Sequence, residues 1–412
     1  MMEKTKRNVP ELRFPDYNNQ WKDIKLGDII SNLESGVSVN SIDETINNIS
    51  EFGILKTSCV AQGNFNPFEN KRILDNEVSR ARLNPVKDSI LISRMNTLQL
   101  VGESGYVTMD YSNLFIPDRL WMITTDSNKV ISRFLSIILS SSKLMTQISN
   151  IATGTSGSMK NISQPNFLNL QVVIPNISEQ QKVSSFFTAI DDKLHTLKKK
   201  KTLLEQYKKG VTQKIFSQEL RFNDENGNKY PEWKENSLKN NAKFYSGGTP
   251  LTTISQYYIG DIPFIKSGEI NADKTEQCIS EEGFKNSSSK MVEVGDILYA
   301  LYGATSGEVG ISKIKGAINQ AVLCIKSNFI TYYLYSYLCF TKQDIISKYL
   351  QGGQGNLSAD IVKALIIPTP SLPEQTKIAN FLSAIDEKIN LCTTQIEKTE
   401  QYKKGLLQKM FV

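Results

Sequence analysis

Glu179–Phe216 reads EQQKVSSFFTAIDDKLHTLKKKKTLLEQYKKGVTQKIF, and it returns without a gap as Glu374–Phe411, EQTKIANFLSAIDEKINLCTTQIEKTEQYKKGLLQKMF. At a constant offset of 195 residues, 17 of 38 positions are identical, including Ala189-Ile190-Asp191 and Glu205-Gln206-Tyr207-Lys208-Lys209-Gly210. A shorter repeat accompanies it: Glu11-Leu12-Arg13-Phe14 recurs as Glu219-Leu220-Arg221-Phe222, each followed at a distance by a tryptophan, Trp21 and Trp233. Repetition on this scale sets the architecture before any local reading does. The chain divides into two similar halves, about 10–217 and 218–412. Two copies of one binding unit suggest a partner that is itself read in two places.

Neither copy of the long repeat contains proline, and each holds a single glycine near its end, Gly210 and Gly405. In the second copy Ile378, Leu382, Ile385, Ile389, Cys392, Ile396, Thr399, Lys403, Leu406 and Met410 alternate by four and three, the seam of a coiled coil. Val183, Phe187, Ile190, Leu194, Leu197, Lys201 and Leu204 keep the same register in the first copy, which blurs around Tyr207. Each helix should be roughly 57 Å long at 1.5 Å per residue. Neither seam is stable alone in water, so each needs a partner of similar length. The expected partner is the other copy, antiparallel within one chain; a second chain is the alternative. Phe187, Ile190, Leu194, Leu382, Ile385 and Ile389 are the expected interface residues. Ser178-Glu179-Gln180 and Pro373-Glu374-Gln375 mark acidic helix starts. Strand-like runs ending in proline, Val172–Pro175 and Leu365–Pro368, precede both.

Between the helices lie segments rich in short β-like runs, such as Ile90–Ile92 and Ile297–Tyr299, and in glycine turns at 102–105, 247–250, 303–310 and 352–355. Ser132–Ile148 and Thr331–Leu350 read as helices. The fold class is therefore α+β: two pseudo-two-fold related domains separated by two long helices forming an antiparallel coiled coil. The expected boundaries are a first domain over 1–175, a central helical spacer over 176–217, a second domain over 218–370 and a C-terminal helical spacer over 371–412. The short repeat makes the chain read as a circle cut between Val412 and about Val9, so its ends should lie together.

Composition excludes several functions. A chain of 412 residues exceeds what one core supports, and 40% apolar with 22% charged residues is ordinary for a globular protein. No apolar run is long enough for a membrane span, and Met1–Arg13 lacks the apolar core of a signal peptide, which points to a cytoplasmic protein. Five scattered cysteines, none paired at metal-ligand spacing, read as reduced thiols. The single histidine, His195, corresponds to Asn390 in the other copy, so histidine-dependent triads and zinc sites are mostly excluded and no metal site is expected. No segment matches a Walker loop or a dinucleotide fingerprint, and Asn66-Pro67-Phe68 falls one proline short of the base-flipping loop of DNA amino-methyltransferases. No catalytic residues are expected; the chain binds. The net charge of +6 is uneven: nine lysines against four acids in Glu179–Phe216, but six against five in Glu374–Phe411. The run Lys198–Lys201 is either a solvated face or a stretch running beside a polyanion.

Two divergent domains, each followed by a repeated Glu-Gln helix, resemble the specificity subunit of type I restriction–modification enzymes. The matching stretches are Arg13-Phe14-Pro15, Leu91-Ile92-Ser93-Arg94-Met95, Gly247-Gly248-Thr249-Pro250, Gly303-Ala304-Thr305-Ser306-Gly307, Asn161-Ile162-Ser163 and Asn356-Leu357-Ser358. The resemblance covers essentially the whole chain. It implies two target recognition domains, each reading half of a split, asymmetric site in double-stranded DNA. It implies helices that set the gap and dock two methyltransferase subunits, with motor-nuclease subunits completing a bacterial complex. S-adenosylmethionine, ATP and Mg are then expected on those partners and none in this chain. The lysine run at 198–201, absent at 393–396, departs from equivalence of the two docking faces. Base readers belong on polar loops; the expected residues are Arg94 and Lys160 in the first domain and Lys266 and Tyr302 in the second, with a structural ion-pair role as the equal alternative for Arg94. The alternatives are a recognition subunit of a different restriction or modification assembly, a self-sufficient methyltransferase, and a coiled-coil adaptor that touches no DNA.

Overall fold

The computed structural model describes residues 8–46, 48–154, 159–349 and 356–412. The glycine stretch expected at 352–355 lies outside the described residues. The chain forms two compact units, one of residues 1–197 with 395–412 and the other of residues 198–394. The boundaries fall inside the two long helices, α1 (Ile177–Phe216) and α2 (Leu372–Lys409). The spacer segments 176–217 and 371–412 are thus not bodies of their own. Each helix starts in one unit and ends in the other.

Both units are built on one plan. In the first, Ile30–Ser35, Leu120–Thr125, Ile90–Ser93 and Ser104–Tyr106 form antiparallel neighbours in a sheet that continues through Gly63–Phe65 and Val60–Ala61. In the second, Ala242–Ser246, Val322–Ser327, Ile297–Ala300 and Val309–Ile311 repeat the four-strand part in the same order. Each unit adds a smaller mixed sheet containing one parallel pair, Gly53–Leu55 with Leu114–Phe115 and Ile262–Ile265 with Gly316–Ile318. Each also pairs its first strand antiparallel with the strand that runs into its long helix, Lys22–Lys25 with Gln171–Ile174 and Lys234–Ser237 with Ile366–Thr369. The expected helix over Ser132–Ile148 is two helices, Ser132–Leu139 and Ser142–Ile151. The hydroxyl of Ser140 turns back to the Ile137 carbonyl at 2.9 Å, and Ser141 caps the second helix through Leu144 N. Serine hydroxyls compete with the helix ladder in this way. The second unit carries one uninterrupted helix there, Thr331–Tyr349.

Within each unit the two long helices run antiparallel. In the first, Lys403 pairs with Asp191 at 2.6 Å and the ring of Phe411 lies 5.9 Å from that of Phe187. In the second, Lys208 pairs with Asp386 at 2.6 Å, and Ile215 and Phe216 share a core with Ile378 and Leu382. Asp386 and Lys403 are Asp191 and Lys208 moved by the repeat offset, so one contact is made twice with the roles exchanged. The register blurred at Tyr207 because the seam residue there is Lys208, which is paired, while Tyr207 is 52% exposed. Phe187, Ile190 and Leu194 are buried in the first core, Leu382 and Ile385 in the second, with Ile389 packed half-buried beside them.

The repeated Glu-Gln pair locks each helix to its domain. Glu179 is buried and accepts from Arg13 Nε and a second guanidinium nitrogen, both at 2.7 Å, and from Trp21 Nε1 at 3.3 Å. Glu374 does the same with Arg221 at 3.2 and 3.1 Å and with Trp233 Nε1 at 3.0 Å. The carboxylates raise the pKa of both arginines, chiefly through these hydrogen bonds. Phe14 then meets Phe186 at 5.6 Å, and Phe222 meets Phe381 at 5.4 Å. Gln180 accepts from Ile131 N and donates to the Pro175 carbonyl; Gln375 accepts from Ile330 N and donates to the Pro370 carbonyl. The short repeat is the other half of this clamp.

In the first unit Leu12 N donates to the Lys409 carbonyl at 2.8 Å, and Lys409 pairs with Glu11 at 3.0 Å. In the second, Leu220 N donates to the Lys214 carbonyl at 2.9 Å, the same bond closed along a continuous chain. A permuted protein, with Val412 joined to about Val9 by a short linker and new ends opened near Ser217, should therefore fold with near-native circular dichroism and melting temperature. Termini at such junctions are tolerated when the broken backbone makes few buried contacts.

Candidate nucleic-acid interface

A single loop cluster recurs in both units at the ends of the main sheet. In the first unit a turn at Gly36 follows the strand Ile30–Ser35 and presses on the Ile116 carbonyl, where a β-carbon would sit 1.6 Å from that oxygen. Only glycine fits so close an approach. Two residues on, the Ser38 hydroxyl donates to the Asp118 carboxylate. In the second unit Gly247 takes the same place, where a β-carbon would sit 1.7 Å from the Ile318 carbonyl oxygen, and the Thr249 hydroxyl donates to Gln320 Oε1 at 2.6 Å. The backbone behind these loops is pinned alike: Arg94 N donates to the Arg119 carbonyl at 3.1 Å, and Leu301 N to the Ala321 carbonyl at 2.8 Å.

The four chosen residues lie around this cluster. Arg94 is half-buried; its Nε donates to the Asp118 carbonyl at 2.7 Å and its guanidinium lies 5.8 Å from the Trp121 ring centre. Lys160 lies on the strand pair that joins Lys160–Asn161 to Met95–Asn96, with Nζ on the Gly154 carbonyl at 3.1 Å. Ile162 N donates to the Arg94 carbonyl, so the two basic residues share one local frame. Lys266 follows Ile265, whose carbonyl accepts from Asn319 N, and its own N–H is bound by Glu269 Oε2 at 3.0 Å. Tyr302 follows Leu301 and is half-buried against the second core. The position matching Arg94 in the second unit is Leu301, 1% exposed, so Arg94 has no basic counterpart.

The sequence reading missed Ser38, Asp118 and exposed Arg119 in the first unit, and Thr249 and Gln320 in the second. A signal existed: Pro117-Asp118 and Asn319-Gln320 each stand just before an apolar strand, and each hydroxyl residue stands two places after the turn glycine. Among the described residues no cluster of histidine, cysteine and acidic side chains could hold a metal. Cys59, Cys324 and Cys392 are buried, and burial first of all raises the Cys324 thiol to about 11; Cys278 is half-buried and Cys339 exposed. His195 is exposed on α1. Among the described residues no helix is long and apolar enough to cross a membrane.

The family model described as the type I restriction modification DNA specificity domain matches twice, at residues 18–206 and 213–401. The type I restriction enzyme MjaIX specificity subunit of Methanocaldococcus jannaschii is 32% identical over 211 residues, 48% of this chain and 48% of that protein. The MjaVIII specificity subunit of the same organism is 23% identical over 427 residues, 96% of this chain and 92% of that one. The crystal structure of the type I restriction-modification S subunit from M. genitalium shares the fold, with a TM-score of 0.65 at 16% identity, covering 98% of this chain and 99% of that one.

Proposed function

The chain belongs to the type I restriction–modification DNA specificity family, and on that premise we propose that each unit reads one half of a bipartite, asymmetric site in double-stranded DNA through the loops around Asp118 and Gln320. The observation that carries this reading is one backbone frame built twice with different side chains at its tips: Ser38, Asp118 and Arg119 against Thr249, Gln320 and Ala321, with half-buried Arg94 behind the first set and buried Leu301 behind the second. A shared frame positions both units alike on the duplex, and differing tips give different sequences. In this role the protein is the non-catalytic subunit of a bacterial, cytoplasmic complex. Two methyltransferase subunits and the motor-nuclease subunits carry S-adenosylmethionine, ATP and Mg. Mapping methylated adenines in the host genome tests it, with a split motif of two unlike halves expected. Arg94→Ala should relax one half alone, whereas equal loss in both halves would assign Arg94 to phosphate binding or folding.

The helices support docking of a partner present twice. Gln206, Tyr207, Lys209, Gly210, Gln213 and Lys214 are identical in the second copy, and all six are exposed in the first. On a helix of 3.6 residues per turn they share one face, opposite the seam of Lys208, Val211 and Ile215. The packed positions Val211 and Ile215 become Leu406 and Met410, while this solvent face does not change. Gly210 and Gly405 have nothing within 4 Å of an added β-carbon, yet glycine costs a helix about 1 kcal/mol relative to alanine. A face kept twice against that cost is a surface for one partner bound twice. Tyr207→Ala with Tyr402→Ala should leave the melting temperature unchanged and abolish co-purification of the methyltransferase subunits.

Lys198, Lys199 and Lys200 are exposed, and Lys201 approaches Glu205 at 3.9 Å. If α1 runs beside the unread spacer, neutralising all four should flatten the salt dependence of DNA binding without changing the preferred sequence. An unchanged slope would make the run a solvated face.

A further inference from the structure

We propose that Asp118 and Gln320 are specificity-determining residues, each reading one base at the same place in its half-site: Asp118 the amino group of cytosine, Gln320 adenine. The inference rests on the reading of each unit as a half-site reader. Both side chains occupy the same point of the frame, set by the jammed glycines 36 and 247 and by the bonded carbonyl of the next residue, Arg119 in one unit and Ala321 in the other. Each is held by a hydroxyl from the facing loop, Ser38 or Thr249. A residue needed only to tether two loops would keep its chemistry. Here the tether is kept and the outward chemistry changes.

The change alters what can be read. A carboxylate only accepts hydrogen bonds. In the major groove, acidic side chains accept from cytosine N4. A carboxamide both donates and accepts, and glutamine pairs in two places with adenine N6 and N7. With Oε1 holding the Thr249 hydroxyl through one lone pair, Gln320 keeps its second lone pair and both amide hydrogens for a base. Gln320 is exposed and Asp118 half-buried, so each is reachable from solvent. Exposed Arg119 beside Asp118, and Lys266 after the strand that meets Asn319, supply positive charge for the phosphates on either side. An acidic reader is tolerable near DNA only in such a basic setting. Prior fixing of both side chains lowers the cost of ordering them on binding.

The test is the methylation map of a host carrying the full complex with Asp118→Asn or Gln320→Glu. Asp118→Asn should reduce preference for cytosine at one position of the first half-site by roughly tenfold or more, the size of one lost base contact, and leave the second half unchanged. Gln320→Glu should weaken adenine and admit cytosine at one position of the second half alone. Motifs unchanged for both variants would overturn the inference, and so would a change spread over both halves. Where a variant abolishes methylation, the purified complex is titrated against duplexes carrying single base substitutions. Loss of discrimination at one base pair supports the assignment, and uniform weakening overturns it. A wild-type map lacking two separate half-sites would overturn the half-site reading itself.

Discussion

Glu179→Ala should destabilise the first unit by about 3–5 kcal/mol, the cost of leaving a buried charge without its partner. Arg13 would be stranded: its side chain is 10% exposed, and both of its bonds at 2.7 Å end on the lost carboxylate. Trp21 would lose its acceptor as well. Urea denaturation of the full chain measures the effect. The companion Arg13→Met with Glu179→Leu should recover most of the loss, because an apolar pair of similar volume often replaces a buried ion pair without penalty. By contrast Lys403→Met, which breaks the seam pair with Asp191, should cost no more than about 1 kcal/mol. Asp191 keeps Arg133 as a second partner, so no buried charge is left unpaired. A Glu179→Ala chain as stable as wild type would remove the clamp as the reason for the repeated Glu-Gln pair.

Leu382→Asp should be at least as damaging, by several kcal/mol, in the second unit. Leu382 is fully buried among Ile215, Phe216, Ile378 and Ile385. The substitution empties an apolar site and puts an unpaired carboxylate in it. Stepwise thermal denaturation should show the second unit's transition lost and the first unit's kept, since the first core contains no part of this cluster. Methyltransferase co-purification should fail with it, because the end of α1 that carries Tyr207 and Gly210 packs in this unit. A single unshifted transition would mean that Leu382 is not core.

The long helices were legible because their information is local and periodic. A seam from Ile378 to Met410, spaced by four and three without proline, states both the element and its buried face. The antiparallel pairing was readable for a related reason: a doubled element with a matching seam supplies its own partner. The Glu-Gln pair was readable as a motif but not as a clamp. Its partners Arg13 and Trp21 stand 166 and 158 residues away, and no local pattern joins them.

The candidate readers divide along the same line. Arg94 and Lys160 were chosen by residue type, and only strand pairing places them in one frame. Asp118 and Gln320 stand out in one dimension only as an acid or amide just before an apolar strand, a signal too common to mark a site by itself. Their meaning comes from Ser38 and Thr249 across the loop, and from two glycines whose value lies in a carbonyl 1.6 or 1.7 Å from an absent β-carbon. By itself, the sequence determined that the chain is two copies of one α+β plan on paired helices, because repetition and helical period are written residue by residue. The tertiary structure alone decided which side chains share a site, because that depends on contacts between segments far apart in the chain, where van der Waals fit and hydrogen-bond geometry act and sequence spacing does not.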